Sequence, residues 1–330
     1  MLNAVRRKLL AVASLCMACL ATSVVASTQP SVQHPAPINV VASFSIIADM
    51  VRQVGGSLVQ VHSLVGSDSD AHVFNPTPND ARQLARADMV VINGLGYEGW
   101  IERLIKASGF RGPVVIASRG IDAIALEKED QHDKSSSDKH SHKHSHSHSG
   151  KGDPQEMDPH AWQDLSNARV YVANIRDALI ALRPQDRQQL AMQADRYLSQ
   201  INALEHRLRN QFAAIALDQR RIIVSHDAFG YLAKAYDIEF LPVQGGSTGR
   251  EASASDVARL IQQVRSGNVR AYFVENMSDP RVLQRIADET GAKAGGKLYS
   301  DALSAPGTEA DTYLRLYEIN AQRLIDALKN

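Results

Sequence analysis

The chain has 330 residues, enough for two lobes with a core each. Hydrophobic residues make up 44% and charged residues 22%, the composition of a folded, soluble protein and not of a disordered one. Lys plus Arg and Asp plus Glu both total 36; with no net charge and no broad basic run, nucleic acid is not an expected partner.

The N-terminus reads as an export signal. Arg6, Arg7 and Lys8 form a positive start, an apolar stretch covers residues 9–25, and Val24-Val25-Ala26 offers small residues where a signal peptidase reads. Residues 1–26 are expected to be removed on export. An uncleaved anchor is the alternative, but Thr22 and Ser23 leave the run marginal as a bilayer span of ~20 residues. Cys16 and Cys19 are the only cysteines, and both fall in this leader. Neither follows a lipoprotein-type Leu-small-small pattern, so no lipid anchor is expected. The mature chain then has no thiol, and a metal must be held by His, Asp, Glu or backbone oxygen.

Strands and helices alternate past a short proline-containing lead. Residues 38–43 and 59–65 read as strands around a helix at 45–54, which Gly55-Gly56 closes. Strands follow at 88–92 and 113–117, with a helix at 97–107. Residues 38–126 are thus expected to form a first βα lobe. Residues 127–156 turn to His, Lys, Ser, Asp and Gly and read as a disordered surface loop.

Residues 157–217 are expected to finish the first lobe and link it onward. A helix covers 167–182, and Pro184 starts another that runs to about residue 216. Leu190, Ala194, Tyr197, Leu198, Ile201, Leu204, Leu208, Phe212 and Ile215 recur at helical spacing, mostly steps of three and four, a stripe that packs on the body of the protein. A helix of about 33 residues is on the order of 50 Å long, enough to cross a two-lobed molecule; a free coiled coil is the alternative.

Residues 218–330 repeat the alternation as a second lobe. Strands are expected at 221–225, 238–243 and 270–275, and helices at 228–236, 253–265, 280–290 and 308–328. The expected fold class is α/β, two lobes of mostly parallel sheet with flanking helices. A faint internal repeat agrees: Thr77 to Leu84 precedes the strand DMVVI, and Ser253 to Leu260 precedes AYFVE. Thr77 and Ser253 each stand as an N-cap with an acid three residues on, a capping box.

Of twelve histidines, His132, His140, His142, His144, His146 and His148 lie in the polar loop. Alternation with small or basic residues lets several imidazoles converge on one divalent ion. Closing a flexible loop costs entropy, so such sites should be auxiliary and of modest affinity; a purely solvating linker is the alternative. His72, His160 and His226 instead sit near strand ends or in loops between elements, where open α/β sheets bind ligands. Asp301 follows the strand-like KLYS. Three imidazoles and one carboxylate make four ligands, the number zinc prefers. Spacing alone leaves each of them open to a plain surface role. His34 (lead), His62 (within a strand) and His206 (on a charged helix face) are weaker candidates.

These segments resemble the ZnuA/TroA-type family, the metal-binding proteins of ABC transporters (cluster A-I). The matching stretches are VVASFSIIADMVRQVGG, DAHVFNPTPNDARQLARADMVVINGLGYEGW, MDPHAWQDLSNARVYVANI, VSHDAFGYLAKAYDIE, GGSTGREASASDVARLI and IADETGAKAGGKLYSDALS, spread over about residues 39–310. The resemblance implies two lobes joined by a long rigid helix, with one metal in the cleft. It implies His72 and His160 as ligands from the first lobe and His226 and Asp301 from the second. The His-rich insertion is similar to that of zinc-specific members, whereas the manganese branch commonly carries Glu at the position of His226. It also implies a partner: an inner-membrane permease with its cytoplasmic ATPase. The chain itself has no G-x-x-x-x-G-K-[ST] loop, so ATP hydrolysis lies elsewhere.

The expectation is a monomeric periplasmic Zn2+ carrier and no enzyme. Manganese or iron transport on the same fold is one alternative, and a zinc buffer or adhesin is another. A zinc hydrolase needs an open metal position and a base; Glu98 or Glu275 would have to serve, and no spacing points to either.

Overall fold

The computed structural model describes residues 36–126 and 156–329, apart from positions 247, 250, 251 and 268. The proposed leader, its two cysteines and the six loop histidines lie outside the described residues.

The first sheet has four parallel strands, β1 (Ile38–Phe44), β2 (Val59–Val65), β3 (Met89–Ile92) and β4 (Val114–Ile116), in the order β2-β1-β3-β4. The helices α1 (Ser45–Gly55), α2 (Pro78–Ala85) and α3 (Ile101–Ser108) connect them. Two helices follow, α4 (Leu165–Leu182) and α5 (Arg187–Ala213). The second sheet contains β5 (Arg221–His226), β6 (Glu239–Gln244), β7 (Ala271–Glu275) and β8 (Lys293–Leu298), again parallel and in the matching order β6-β5-β7-β8. Its connections are α6 (Gly230–Tyr236), α7 (Ala254–Ser266) and α8 (Arg281–Thr290), and α9 (Tyr313–Lys329) closes the chain. The repeat seen in the sequence is therefore a repeat of topology: α2 and α7 occupy equivalent places. Both open with the expected capping box, Thr77 with Asp80 and Ser253 with Asp256.

Alternation along a strand sends neighbours to opposite faces, and β5 shows the result. Ile222 and Val224 join the main core, which runs through α1, α4, α5 and α9, while Ile223 joins a smaller core with Leu241, Leu260, Ile261, Val264 and Ile286. The long helix α5 buries Leu190, Ala194, Tyr197, Ile201, Leu204, Leu208 and Phe212. It packs on α1 and α4 from one half and on α6 and α9 from the other. This is an interlobe helix packed on the body, not a free coiled coil.

Three helices differ in their bounds from expectation for identifiable reasons. The long helix has 27 residues, about 40 Å. Pro184–Asp186 forms a separate 3-10 turn ahead of it. At the far end the buried Arg220 guanidinium donates to Phe212 O, one of the last free acceptors of the helix, and to the carbonyls of Ile215 and Tyr236 beyond it. The helix expected from Tyr97 starts at Ile101, because the Glu98 side chain binds the N–H groups of Asn93 and Gly94 and holds residues 93–100 as a loop. The last helix starts at Tyr313, since residues 304–311 fold into turns around the Ser304 hydroxyl, which accepts from Ala310 N–H and Thr308 Oγ1.

Removing the second capping box tests how much of α7 rests on it. The Ser253→Ala variant is expected to lose about 1 kcal/mol, read as a lower urea midpoint with an unchanged slope. An unchanged midpoint would mean that packing alone sets this helix.

Candidate metal centre

Each of the four candidate ligands is placed by a different element. His72 lies between β2 and α2, where its backbone N–H donates to Asp70 Oδ1 at 2.8 Å. His160 precedes a 3-10 turn, Ala161–Gln163, that leads into α4. His226 is the last residue of β5, the strand at the heart of the second sheet. Asp301 comes three residues beyond β8 rather than directly at a strand end, after Tyr299 and Ser300.

The fold brings all four together. One ligand atom from each lies within 4.8 Å of every other. The Nε2 atoms of His72 and His160 are 3.2 Å apart. Asp301 Oδ2 is 3.3 Å from Nε2 of His72 and 3.3 Å from Nε2 of His226, and Oδ1 is 3.7 Å from Nε2 of His160. His160, His226 and Asp301 are fully buried, and His72 is nearly so. Neither Asp301 oxygen accepts a well-directed hydrogen bond within the described residues. A buried carboxylate in that condition is costly unless a cation shares the site, and the four convergent ligand atoms could hold one. The weaker candidates stay apart: His62 and His206 are exposed and outside the cluster.

Two carboxylates that the sequence argument had not placed stand behind the imidazoles. Asp158 Oδ1 accepts the His160 backbone N–H at 2.9 Å and lies 2.8 Å from its Nδ1. Glu275 Oε1 accepts the His226 backbone N–H at 3.0 Å, and Oε2 lies 2.6 Å from Nδ1. Both fix the ring so that Nε2 faces the cluster, the usual orienting device for a metal-bound histidine. Asp158 was within reach of the sequence, two positions before His160. Glu275 was not. It meets His226 because β5 and β7 pair Ile222 with Ala271 and Ile223 with Tyr272, and the same offset carried to the strand ends sets the two side by side. Glu275 is thus an orienting group, not a base facing an open position.

The electrostatics follow from burial. Burial by itself disfavours a charged His226, but the Glu275 and Asp301 carboxylates outweigh it and hold the His226 pKa well above the imidazole range. Burial would raise the Asp301 carboxyl, yet His226 and His160 pull it well below the usual carboxylate range. The Tyr97 ring meets His72 edge-on at 4.8 Å. Burial, and then the Asp301 carboxylate, push its phenol far up, so it stays protonated.

Neighbouring segments tie the ligands together. Trp162 Nε1 and Gln163 Nε2 both donate to Ser300 O, at 2.9 and 2.8 Å, which joins the residues after His160 to the one before Asp301. Trp100 Nε1 donates to Ala71 O at 2.9 Å, next to His72. The Gly-rich loop after β6 reaches the first half through Thr248, whose hydroxyl donates to Asp70. A cavity of about 510 Å³ opens onto His72 beside Tyr97, Met157 and Pro159, with Leu126 and Glu156 on its wall. No helix among the described residues is long and apolar enough to cross a membrane.

Comparisons with known proteins give the family of the chain. The family model described as "Zinc-uptake complex component A periplasmic", ZnuA, matches residues 40–327. The manganese-binding lipoprotein MntA of Halalkalibacterium halodurans is 27% identical over 291 residues, 88% of each chain. The iron ABC transporter substrate-binding lipoprotein MtsA of Streptococcus pyogenes is 27% identical over 297 residues, 88% of this chain and 89% of its own. Among solved structures, the periplasmic zinc binding protein TroA of Treponema pallidum superposes with a TM-score of 0.77 at 26% identity, covering 88% of this chain and 99% of that one. This chain belongs to the ZnuA family: it is a metal-binding, substrate-binding component of an ABC transporter and not an enzyme.

Proposed function

We propose that the metal is Zn2+, held by Nε2 of His72, His160 and His226 and by the carboxylate of Asp301. The spacing of these atoms carries the reading. A tetrahedron with metal–ligand distances of ~2.0–2.1 Å has edges of ~3.3–3.4 Å; three of its six edges, His72–His160 and Asp301 Oδ2 to His72 and to His226, are 3.2–3.3 Å, and one ligand atom from each of the four residues lies within 4.8 Å of every other. Three nitrogens and one oxygen suit zinc, whereas manganese favours more oxygen. Manganese and iron are the rivals, being the metals in the names of two relatives.

In this reading the leader, residues 1–26, is removed on export and the monomeric mature protein works in the periplasm. The His-rich segment collects zinc through His132, His140, His142, His144, His146 and His148. Its roots support that role, because Leu126 N–H donates to Glu156 O at 2.9 Å and both residues border the cavity over His72. The loaded protein then docks on an inner-membrane permease whose ATPase drives entry.

Three measurements test this. Calorimetric titration of the mature protein should give one tight zinc site that persists when residues 131–150 are deleted, with weaker extra sites lost and manganese bound more weakly. Loss of the tight site with the loop, or a preference for manganese, would overturn the assignment. The Glu275→Gln variant should bind zinc about 10–100-fold more weakly, since an amide cannot brace the His226 ring as a carboxylate does; unchanged affinity would remove Glu275 from the site. Affinity should also fall with pH, with a fixed sign. Zinc takes the neutral imidazole, and the raised His226 pKa favours the protonated form. Binding therefore displaces a proton, and affinity weakens as pH drops, starting above the ordinary histidine value of ~6.5. Calorimetry in buffers of different ionisation enthalpy reads the released proton, and a pH-independent affinity would contradict the raised value.

A further inference from the structure

Glu98 is 5% exposed, yet none of its hydrogen bonds goes to the four converging side chains. Its Oε1 accepts from the Ser43 hydroxyl at 2.6 Å and from Asn93 N–H at 2.6 Å, and its Oε2 accepts from Gly94 N–H at 3.1 Å. The loop it gathers has an unusual backbone. Gly94, Leu95 and Gly96 have φ of 88°, 57° and 82°; for Leu95, a residue with a side chain, that conformation is strained and persists only when its surroundings impose it. A carboxylate with several acceptor sites suits this task, because it takes both N–H groups and still reaches Ser43 at the end of β1.

Two arms lead from this loop toward the cluster. Asn93 Nδ2 donates to Pro159 O at 2.9 Å, immediately before His160, and Asn93 Oδ1 accepts from the buried Tyr171 hydroxyl at 2.6 Å. Tyr97 forms the other arm. Its ring lies 4.8 Å from His72, 4.9 Å from Phe44 and 4.9 Å from Trp162, so it is the wall against which His72 rests. Both arms depend on the shape of residues 93–100.

We infer that Glu98 is a positioning residue for metal capture: by fixing the 93–100 loop it holds Tyr97 against His72 and Pro159 beside His160, and so sets two of the three imidazoles at the spacing the ion requires. The inference rests on the four-ligand reading above. It extends that reading to a group that touches no ligand.

The test uses the full mature protein and the metal alone. Zinc affinity is measured by competition with a chromophoric chelator for wild type, Glu98→Gln, Asn93→Ala and the exposed-site control Glu102→Gln. Cobalt absorption of each serves as a signature of ligand geometry. Glu98→Gln is expected to bind zinc about 10–100-fold more weakly, with a changed cobalt spectrum. Asn93→Ala, which leaves Glu98 its bonds to the loop backbone and cuts the arm to Pro159 together with the side-chain bonds to Tyr171 and Gly94 O, is expected to weaken zinc about tenfold. It carries the test if Glu98→Gln fails to fold. Glu102→Gln should match wild type. If wild type binds zinc tightly and both Glu98→Gln and Asn93→Ala match it in affinity and spectrum, the inference is overturned and the zinc assignment stands. If wild type prefers manganese, the zinc assignment falls, and the same comparison read with manganese supports or overturns the role of Glu98.

Discussion

The structure is organised around one electrostatic constraint: a fully buried carboxylate, Asp301, set among three imidazoles. A lone charge at such a depth is heavily penalised. Opposite charge within hydrogen-bonding distance is the remedy, and a divalent cation provides it in concentrated form. The spacing has to be kept closely, because ligand atoms a few tenths of an ångström out of place serve a metal poorly. Much of the surrounding architecture maintains that spacing between two halves of a chain.

The bracing is strongest behind the site. Ser300 O, next to Asp301, accepts from Trp162 and Gln163, which follow His160. The backbone carbonyls of the same Trp162 and Gln163 accept from the Tyr313 and Tyr317 hydroxyls of α9. Tyr231 of α6 donates to Asp158 O, and Leu303 N–H donates to Ser45 Oγ. These bonds are buried and cross between the halves, and α5 packs along both. His160 and Asp301 thus belong to one hydrogen-bonded unit. His72 is held differently, on a segment between β2 and α2 whose ties to the second half run through the side chains of Asp68 and Asp70 to Asn276 and Thr248, and through Asp68 N–H to Leu303 O. It is also the one ligand that borders the cavity.

The two halves solve the same problem with the same parts. Each is a four-stranded parallel sheet of the same order, each gives two ligands, and each places one carboxylate behind a histidine ring, Asp158 in the first and Glu275 in the second. Those carboxylates select the nitrogen that faces the cluster. Against the cost of burial, Glu275 and Asp301 also make His226 a stronger base than a free imidazole, so proton and metal compete there.

The sequence by itself determined the local structure and the chemistry. Period-two and period-3.6 patterns placed the strands and helices, since burial on one face imposes those periods. The caps at Thr77 and Ser253 were legible because a capping box closes within four residues, and the absence of cysteine beyond residue 19 limited the metal ligands in the folded part of the chain to nitrogen and oxygen. The four ligands could be named through family resemblance, but their spacing along the chain did not join them. Only the tertiary structure decided that they meet, because the contacts that bring His226 to Asp301 arise from sheet order and from packing between distant segments. The same limit hid Glu275, which reaches His226 through strand pairing. It hid the true start of α3 as well, where the Glu98 side chain turns back to bind the N–H groups of Asn93 and Gly94 and keeps residues 93–100 out of the helix. Local pattern carries no record of which distant group will claim a donor; that is settled when the chain is packed.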